Sequence, residues 1–356
     1  MKYKTNFCVF IAYLLYSLFV LAGCREESIF VNNQKKAFNV ITALHILDCS
    51  SDGDKIAVLA ITDNISGTES VSHLKCGVFQ RDLGRMIYVP DCEAVGSASF
   101  RPGFQEEFVI CDIHKGLCYC IIRNDRIIVK PLYQPTDFIV MYSSWDPSGR
   151  YIALDLYPAK SVNCDSTTKP SNEDGNFLGI YDFYEKILYR TDIRKLTGRP
   201  LWHDGNIVVR TCSGVMWVSP PPDSRAVKFV ELKNVYQLGF NYGCLFATTR
   251  DNNKFYLFKD NGFIPLETIN IPIYYCIFSE DRCLFSTKNK LVILNDRHEP
   301  ELFVKLDDPK LKAQLGHWCS LRKEALLVNR RTAIIAIPQS SRKYNILWRA
   351  NQPDAN

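Results

Sequence analysis

Apolar residues in this chain fall into short runs that are rich in β-branched and aromatic side chains. Gly, Pro, Asn, Asp and Ser separate these runs, and beyond the first 24 residues no long stretch keeps a helical period. This pattern predicts short strands joined by tight turns. We therefore expect an all-β fold.

One turn recurs along the chain. Residues 145–153 read Trp-Asp-Pro-Ser-Gly-Arg-Tyr-Ile-Ala, and residues 49–58 align with residues 145–154 without a gap. The first residues of this turn and of its looser copies stand at positions 49, 100, 145, 202, 240, 278 and 319, which we call the anchor positions. A second hairpin follows each copy, most clearly at residues 78–88 and 180–189. Seven pairs of hairpins predict seven units of four antiparallel strands.

Units of about 40 residues with four strands are typical of β-propeller blades. One twisted sheet cannot cover its own apolar faces, whereas packing each sheet on the next and closing the ring covers them. We expect a β-propeller of seven four-stranded blades over residues 38–350, with six or eight blades as alternatives. Residues 38–41 exceed what blade 1 needs, so they are candidates for a closing strand that pairs with the last blade.

Residues 146–153 and 180–182 carry a further resemblance. They resemble the TolB-like, WD40-like propeller repeat of bacterial exported proteins, in which a turn of Asp and Gly joins two inner strands. In that family the turn is structural. The resemblance implies that the following residues form turns and bind no ligand: Asp52, Gly53, Asp146, Pro147 and Gly149.

The first 24 residues have the features of an export signal. Lys2 and Lys4 precede an almost continuously apolar stretch at residues 7–21, which is short for a membrane span but suits a signal peptide. The stretch ends in Leu-Ala-Gly-Cys24, which resembles the lipobox of bacterial lipoproteins. The resemblance implies cleavage of residues 1–23, acylation of Cys24 and a tether at residues 24–37. An ordinary cleaved signal and an uncleaved anchor helix are the alternatives.

The residues after Cys24 bear on location. They read Arg-Glu-Glu, without the Asp that marks retention at the inner membrane, and resemble the surface-export signal of Bacteroidetes lipoproteins. We expect a cell-envelope protein that is held to the outer membrane by its lipid, on the periplasmic or the surface side. Residues 351–356 are expected to form a C-terminal tail.

The chain has fourteen cysteines, of which one leaves with the signal and another is Cys24. An even count in an exported chain permits disulfides. Cys111 with Cys118, and Cys276 with Cys283, flank predicted hairpins and could face each other across strands. Most cysteines nevertheless lie within apolar runs, where a free thiol packs as a small hydrophobic group. The sequence favours free buried thiols with one or two bridges.

Charge and motifs exclude several functions. The net charge of +5 is mild and evenly mixed in sign, so we expect no nucleic-acid partner. Nucleophile-elbow, His-Glu-x-x-His and P-loop motifs are absent from the sequence, so no catalytic residue or cofactor is predicted. Asp112, His114, Cys118 and Cys120 are four possible metal ligands, but strand spacing does not suit a zinc knuckle. No metal site is predicted.

The longest interval between anchor positions contains a polar insertion at residues 163–176. Its acidic residues, Asp165, Glu173 and Asp174, lack the regular spacing of a calcium loop. We interpret the insertion as a solvated loop that joins the second and third strands of blade 3.

These observations predict a function class. We expect a lipid-anchored propeller that acts as a binding or scaffolding module for a protein or glycan partner. The alternative is an enzyme with its active site on one propeller face, such as a glycan hydrolase or lyase. A structural protein that only displays loops is a third reading.

Overall fold

The computed structural model describes residues 38–66, 69–92, 95–159, 175–249, 254–266, 275–278, 282–286, 290–305, 313–319, 321–329, 332–340, 343 and 345–350. Within them the chain forms 28 strands in seven four-stranded sheets. The predicted lipidation residue Cys24, the tether and the acidic residues of the insertion lie outside the described residues.

Blades 1 to 4 take up the first part of the chain. Their strands are β1 (Phe38–Cys49), β2 (Lys55–Ser66), β3 (Glu69–Gln80), β4 (Arg85–Tyr88); β5 (Val95–Phe100), β6 (Glu107–Asp112), β7 (Gly116–Arg123), β8 (Arg126–Tyr133); β9 (Phe138–Trp145), β10 (Tyr151–Pro158), β11 (Phe177–Asp182), β12 (Ile187–Arg194); β13 (Leu201–His203), β14 (Asn206–Arg210), β15 (Gly214–Val218) and β16 (Ala226–Glu231).

Blades 5 to 7 follow in the same arrangement. Their strands are β17 (Val235–Asn241), β18 (Cys244–Thr249), β19 (Phe255–Lys259), β20 (Gly262–Pro265); β21 (Tyr275–Phe278), β22 (Cys283–Ser286), β23 (Lys290–Leu294), β24 (Pro300–Lys305); β25 (Ala313–Cys319), β26 (Glu324–Asn329), β27 (Ala333–Pro338) and β28 (Asn345–Arg349).

Each sheet is an antiparallel meander whose strands pair in chain order. The first strands of neighbouring blades contact one another, as β5 contacts β9 and β1 contacts β25, so the first strands line the centre of the ring. The molecule is a seven-bladed β-propeller, which confirms the predicted fold class and blade number. Every anchor position lies at or near the end of a first strand, where the chain turns into the second strand.

The hydrophobic core is divided among the seams between blades. Seven buried clusters occur in the described residues, and each joins side chains of two neighbouring blades. In β2, for example, Ile56 and Val58 pack toward blade 7 while Ala57 packs toward blade 2. Side chains alternate between the two faces of a strand, and both faces are buried here. This explains why the strands read as continuous apolar runs in the sequence.

The ring closes differently from the prediction for residues 38–41. These residues belong to β1 and pair with β2 of the same blade, as Phe38 opposite Ile65 and Ile41 opposite Thr62. The surplus strand-like sequence lengthens the first hairpin of blade 1 to twelve residues per strand. Blade 7 is built from its own four strands, so the ring closes through side chains at the seam between blades 7 and 1.

The predicted disulfide pairs were wrong, because the strand register separates them. Leu117 lies opposite Cys111, and Cys118 lies opposite Ile110. This offset of one residue directs Cys111 to the seam with blade 3 and Cys118 to the seam with blade 1. Cys276 lies opposite Phe285, not Cys283. The ten cysteines with described side chains are free thiols, seven of them buried.

No helix in the described part of the chain is long and apolar enough to span a membrane.

Candidate functional site

Chain topology sorts the loops onto two faces. Because the chain reverses at each hairpin, the turns between first and second strands emerge on the same side as those between third and fourth strands. We call this side the turn face. The polar insertion, which joins β10 to β11, belongs to the opposite side.

The turn at residues 145–153 lies on the turn face and satisfies its own polar groups. Oδ1 of Asp146 accepts hydrogen bonds from the backbone N–H groups of Arg150, at 2.8 Å, and Tyr151, at 2.7 Å. Gly149 has a φ of +69°, in the left-handed region that favours glycine. In blade 1 Asp52 accepts from the backbone N–H of Asp54 at 3.0 Å, and Gly53 has a φ of +72°. The carboxylates of both turns are engaged with their own chain segments.

Arg101, in the first turn of blade 2, connects that blade to blade 3. Its guanidinium is almost fully buried and donates to three acceptors: the carbonyl oxygen of Gly149 at 3.1 Å, Glu107 Oε2 at 2.8 Å and the hydroxyl of Tyr184 at 2.6 Å. Glu107 also accepts a hydrogen bond from Tyr119, whose pKa is raised by burial and then by this carboxylate. The buried charge of Arg101 is therefore paired and hydrogen-bonded, which such a group requires.

Aromatic rings surround the same guanidinium. The ring centroids of Phe104, Phe183 and Trp145 lie 4.2, 4.6 and 5.5 Å from its central carbon. These are cation–π distances, and Arg is the cation found most often in such contacts. Phe104 and Tyr184 are nevertheless 43% and 59% exposed. Arg101 contacts both rings on their buried side, while their other side is open to solvent. We call Arg101, Phe104 and Tyr184 the Phe104 patch.

Exposed hydrophobic side chains elsewhere divide into two sets. Those on the turn face, besides the Phe104 patch, are Leu83, Tyr242 and Leu321. Those on fourth strands, at the outer edge of the ring, are Tyr88, Ile128, Ile187, Val227, Phe229, Ile264 and Ile346. Scattered apolar residues on outer strands are ordinary. The Phe104 patch differs because it combines two exposed rings with a fixed arginine.

Next to the Phe104 patch, Arg150 contributes a second organised charge. It donates to Asp182 Oδ2 from Nε at 2.9 Å and from Nη2 at 2.8 Å. Burial raises the pKa of Asp182, but hydrogen bonds from Arg150 and from the backbone N–H groups of Glu185 and Tyr184 outweigh burial and leave that pKa lowered. Asp182 thereby also orders the turn that carries Tyr184.

The inner strands are joined by tryptophans at anchor positions. Nε1 of Trp145 donates to the carbonyl oxygen of Ser99 at 3.1 Å, and Nε1 of Trp202 donates to that of Ser144 at 3.0 Å. Arg199 reaches across from the segment before β13 and donates to Ser99 Oγ at 3.0 Å. Oxygen atoms of Ser99 and Ser144 thus accept hydrogen bonds from side chains of other parts of the ring and connect blades 2, 3 and 4.

The side chains considered as metal ligands do not converge. Asp112 accepts from the backbone N–H groups of His114 and Lys115, both at 2.8 Å, while the side chain of His114 is exposed. Cys118 and Cys120 are buried in the seam with blade 1. In the part of the chain that the structure describes, no group of three or more His, Cys, Asp or Glu side chains is arranged to hold a metal.

One buried carboxyl stands apart from these networks. Asp155 of β10 has no exposed surface, and burial raises its pKa to about 7. Nδ2 of Asn176 donates to its Oδ1 at 2.7 Å, while its Oδ2 has no hydrogen-bond partner among the described residues. A raised pKa is common in catalytic acids, but structural networks produce it too. Its position inside a blade, without contact to solvent, gives no route for a substrate.

The residues of the Phe104 patch were not predicted from the sequence. Arg101 follows anchor position 100 directly, and Arg322 follows anchor position 319 by three residues. Nε of Arg322 donates to the carbonyl oxygen of Asp52 at 2.8 Å, as Arg101 does to that of Gly149. An arginine shortly after an anchor position could therefore have predicted a contact with the first turn of the next blade.

No protein-family profile matches the chain, and no curated protein matches it. Several solved structures, however, match the chain. The β-propeller domain of the Trilobed protease from Pyrococcus furiosus, described as having an open velcro topology, matches with a TM-score of 0.61 and 10% identity over 88% of this chain and 98% of that one. The acylaminoacyl peptidase of Pyrococcus horikoshii matches with a TM-score of 0.60 and 9% identity over 86% of this chain.

A third match is PorZ of Porphyromonas gingivalis, with a TM-score of 0.54 and 11% identity over 90% of this chain. The chain spans 53% of the length of the acylaminoacyl peptidase and 39% of the length of PorZ. At these identities the likeness shows the fold alone. It agrees with the seven-bladed ring described above.

Proposed function

We propose that this protein is a lipid-anchored binding module of the cell envelope, and that it binds a protein partner through the Phe104 patch. The Leu-Ala-Gly-Cys24 sequence supports the lipid anchor and the envelope location. PorZ, described as a bacterial surface component of a secretion system, is an example of a related fold used at a cell surface. The peptidase domains provide a precedent for the fold only.

The single observation that carries the proposal is the rigid exposure of Phe104 and Tyr184 around Arg101. Tyr and Arg are enriched among the residues that dominate binding energy at protein interfaces, and aromatic residues are enriched in interfaces generally. A side chain that is already fixed loses little entropy when a partner binds. Arg101 fixes both rings, through a cation–π contact with Phe104 and a hydrogen bond to the Tyr184 hydroxyl.

Capture of a partner from native envelope extracts tests this proposal. We expect the wild-type protein to recover a discrete protein, and the double variant Phe104→Ala with Tyr184→Ala to recover at least about tenfold less, since a central aromatic residue contributes about 2 kcal/mol or more. The matched control is Ile128→Ala with Ile187→Ala, which removes two other exposed hydrophobic side chains from the outer strands of the same two blades. This control is expected to recover the partner fully.

Three results would refute the proposal. Equal recovery by the wild type and the Phe104 and Tyr184 variant would place binding elsewhere. Recovery of glycans without a protein would assign a glycan partner. Turnover of a glycan by the purified protein, with no partner recovered, would favour the hydrolase or lyase alternative. A single cooperative unfolding transition well above the assay temperature, measured for each variant, shows that the comparison is made between folded proteins.

A further inference from the structure

The ring closure brings together two cysteines that are far apart in sequence. Cys49 is the last residue of β1 and Cys319 is the last residue of β25, so they occupy equivalent anchor positions in blades 1 and 7. The two strands lie side by side at the centre of the ring. Cys319 belongs to the buried cluster that joins these two blades, and the partly buried Cys49 packs against that cluster. The thiol of Cys49 lies within hydrogen-bonding distance of Sγ of Cys319 and donates to it.

The surroundings leave room for the sulfur atoms and activate one of them. Sγ of Cys319 lies directly beneath Gly53, where a Cβ would collide with it. The hydrogen bond from Cys49 is the largest of the effects that lower the pKa of Cys319 to about 7, and the backbone N–H of Arg322 contributes in the same direction against burial. A thiolate is the nucleophile in disulfide exchange, and the hydrogen-bonded pair of Cys49 and Cys319 holds one near neutral pH.

We propose that Cys49 and Cys319 form a reversible disulfide that locks the ring of blades, by exchange with a low-molecular-weight disulfide such as oxidised glutathione. Cys49 is partly exposed and reacts first: its proton passes to the Cys319 thiolate to which it donates, while its sulfur attacks one sulfur of the small disulfide and releases one small thiolate. Cys319 then gives up this proton to the released thiolate, attacks Sγ of Cys49 and displaces the second small thiolate. The small disulfide is reduced to two thiols as the two cysteines are oxidised.

The place of this pair in the fold gives the bond a structural effect. Among the described strands none is shared between blades 7 and 1, and side chains of both blades pack together at this seam. Arg81 pairs with Glu324 there, and Arg322 pairs with Asp54. A disulfide between residues 49 and 319 would enclose nearly the whole propeller in one covalent loop. Disulfides that close long loops constrain the unfolded chain most in the chain-entropy description.

Oxidation of the purified full-length chain with glutathione tests the proposal. Peptide mapping without reduction should find a linked peptide that contains Cys49 and Cys319 and disappears with dithiothreitol. The thermal midpoint should rise by roughly 4–8 °C on oxidation and fall back on reduction. Cys49→Ser and Cys319→Ser should each abolish the linked peptide and the shift, whereas Cys244→Ser, a partly buried cysteine of blade 5, should keep both.

Absence of the linked peptide from the oxidised wild type would overturn the proposal, and so would a linkage that joins other cysteines. An unchanged thermal midpoint in the linked protein would overturn the role in ring closure. Since mapping and melting of the wild type with and without dithiothreitol decide these points, the test holds even if a serine variant fails to fold.

Discussion

Trp145 of blade 3 donates its indole N–H to the carbonyl oxygen of Ser99 in blade 2, and one blade further Trp202 repeats the contact with Ser144. Both tryptophans stand at anchor positions, and both acceptors directly precede one. The repeat of the sequence is therefore also a repeat of hydrogen bonds between inner strands. It couples neighbouring blades at the centre of the ring.

Loss of the hydrogen bond between Trp145 and Ser99 should destabilise the protein by more than the smaller side-chain volume alone would. Trp145→Phe removes the indole N–H that donates to the Ser99 carbonyl, and a hydrogen bond of this kind typically contributes about 0.5–1.5 kcal/mol. The control is Trp318→Phe, because Nε1 of Trp318 is buried without a hydrogen-bond partner among the described residues. Urea unfolding should show that Trp145→Phe lowers the free energy of unfolding by about 1 kcal/mol more than Trp318→Phe. Equal losses would mean that volume alone determines the effect.

Arg101 should not be replaceable by lysine. Lysine keeps the positive charge, but it lacks the planar guanidinium with which Arg101 donates to Gly149, Glu107 and Tyr184 at the same time. Arg101→Lys should lower the free energy of unfolding by about 3 kcal/mol, as expected when a buried charged pair is broken. Arg85→Lys serves as control, since Arg85 pairs with Asp125 at the surface. An equally small loss for both variants, measured by urea unfolding, would show that the Arg101 network is dispensable.

The fold and the contacts between blades differ in how far the sequence predicts them. Anchor positions such as Trp145 and Cys49 can be predicted from the sequence, because strands and turns depend on residues that are close to one another in the chain. The partners of Arg101 lie 48 residues away at Gly149 and 83 residues away at Tyr184, so only the curvature of the ring brings them together. Ring closure was misjudged for the same reason: residues 38–41 have strand character in either pairing, and their actual register with β2 depends on the whole hairpin.

Gly53 should tolerate alanine less well than Gly84. Both have positive φ, +72° and +61°, so an alanine costs about 1–2 kcal/mol at either position. A Cβ at Gly53 would also collide with Sγ of Cys319, whereas a Cβ at Gly84 would meet no atom within 4 Å. Gly53→Ala should therefore be more destabilising by about 1–3 kcal/mol, the usual range for overpacking. Thermal and urea unfolding of both variants measure this difference, and its absence would mean that Cys319 moves aside freely.

Lipidation of Cys24 is a separate prediction. The protein from its native host should carry acyl chains on Cys24 in an intact-mass measurement and should sediment with membranes, because several acyl chains anchor a protein stably. Cys24→Ala should move it to the soluble fraction or leave an uncleaved precursor. Cys212→Ala, at an exposed cysteine of the propeller, should remain with the membranes. A mature N-terminus at any other residue would refute the lipobox assignment.

Asp155 should make the stability of the protein depend on pH. Its folded-state pKa is raised to about 7, whereas an aspartate in the unfolded chain titrates near 4. Between these values the folded state holds a proton that the unfolded state has lost, so the free energy of unfolding falls as pH rises from about 4 to about 7. Stability from this group is fully present below pH 4 and is lost above pH 7. Tyr142, Tyr157 and Arg210 surround the carboxyl, and Arg210 opposes the shift.

Asp155→Asn removes the titrating proton and keeps an acceptor for Asn176. Urea unfolding at pH 5 and pH 8 should show that the wild type loses roughly 2–3 kcal/mol more than this variant between the two pH values. Asp192→Asn, at an exposed carboxylate of the same blade, should follow the wild type at both pH values. If Asp155→Asn and the wild type fall in parallel, the carboxyl is ionised throughout. In that case Arg210 and Asn176 stabilise its charge more than burial opposes it.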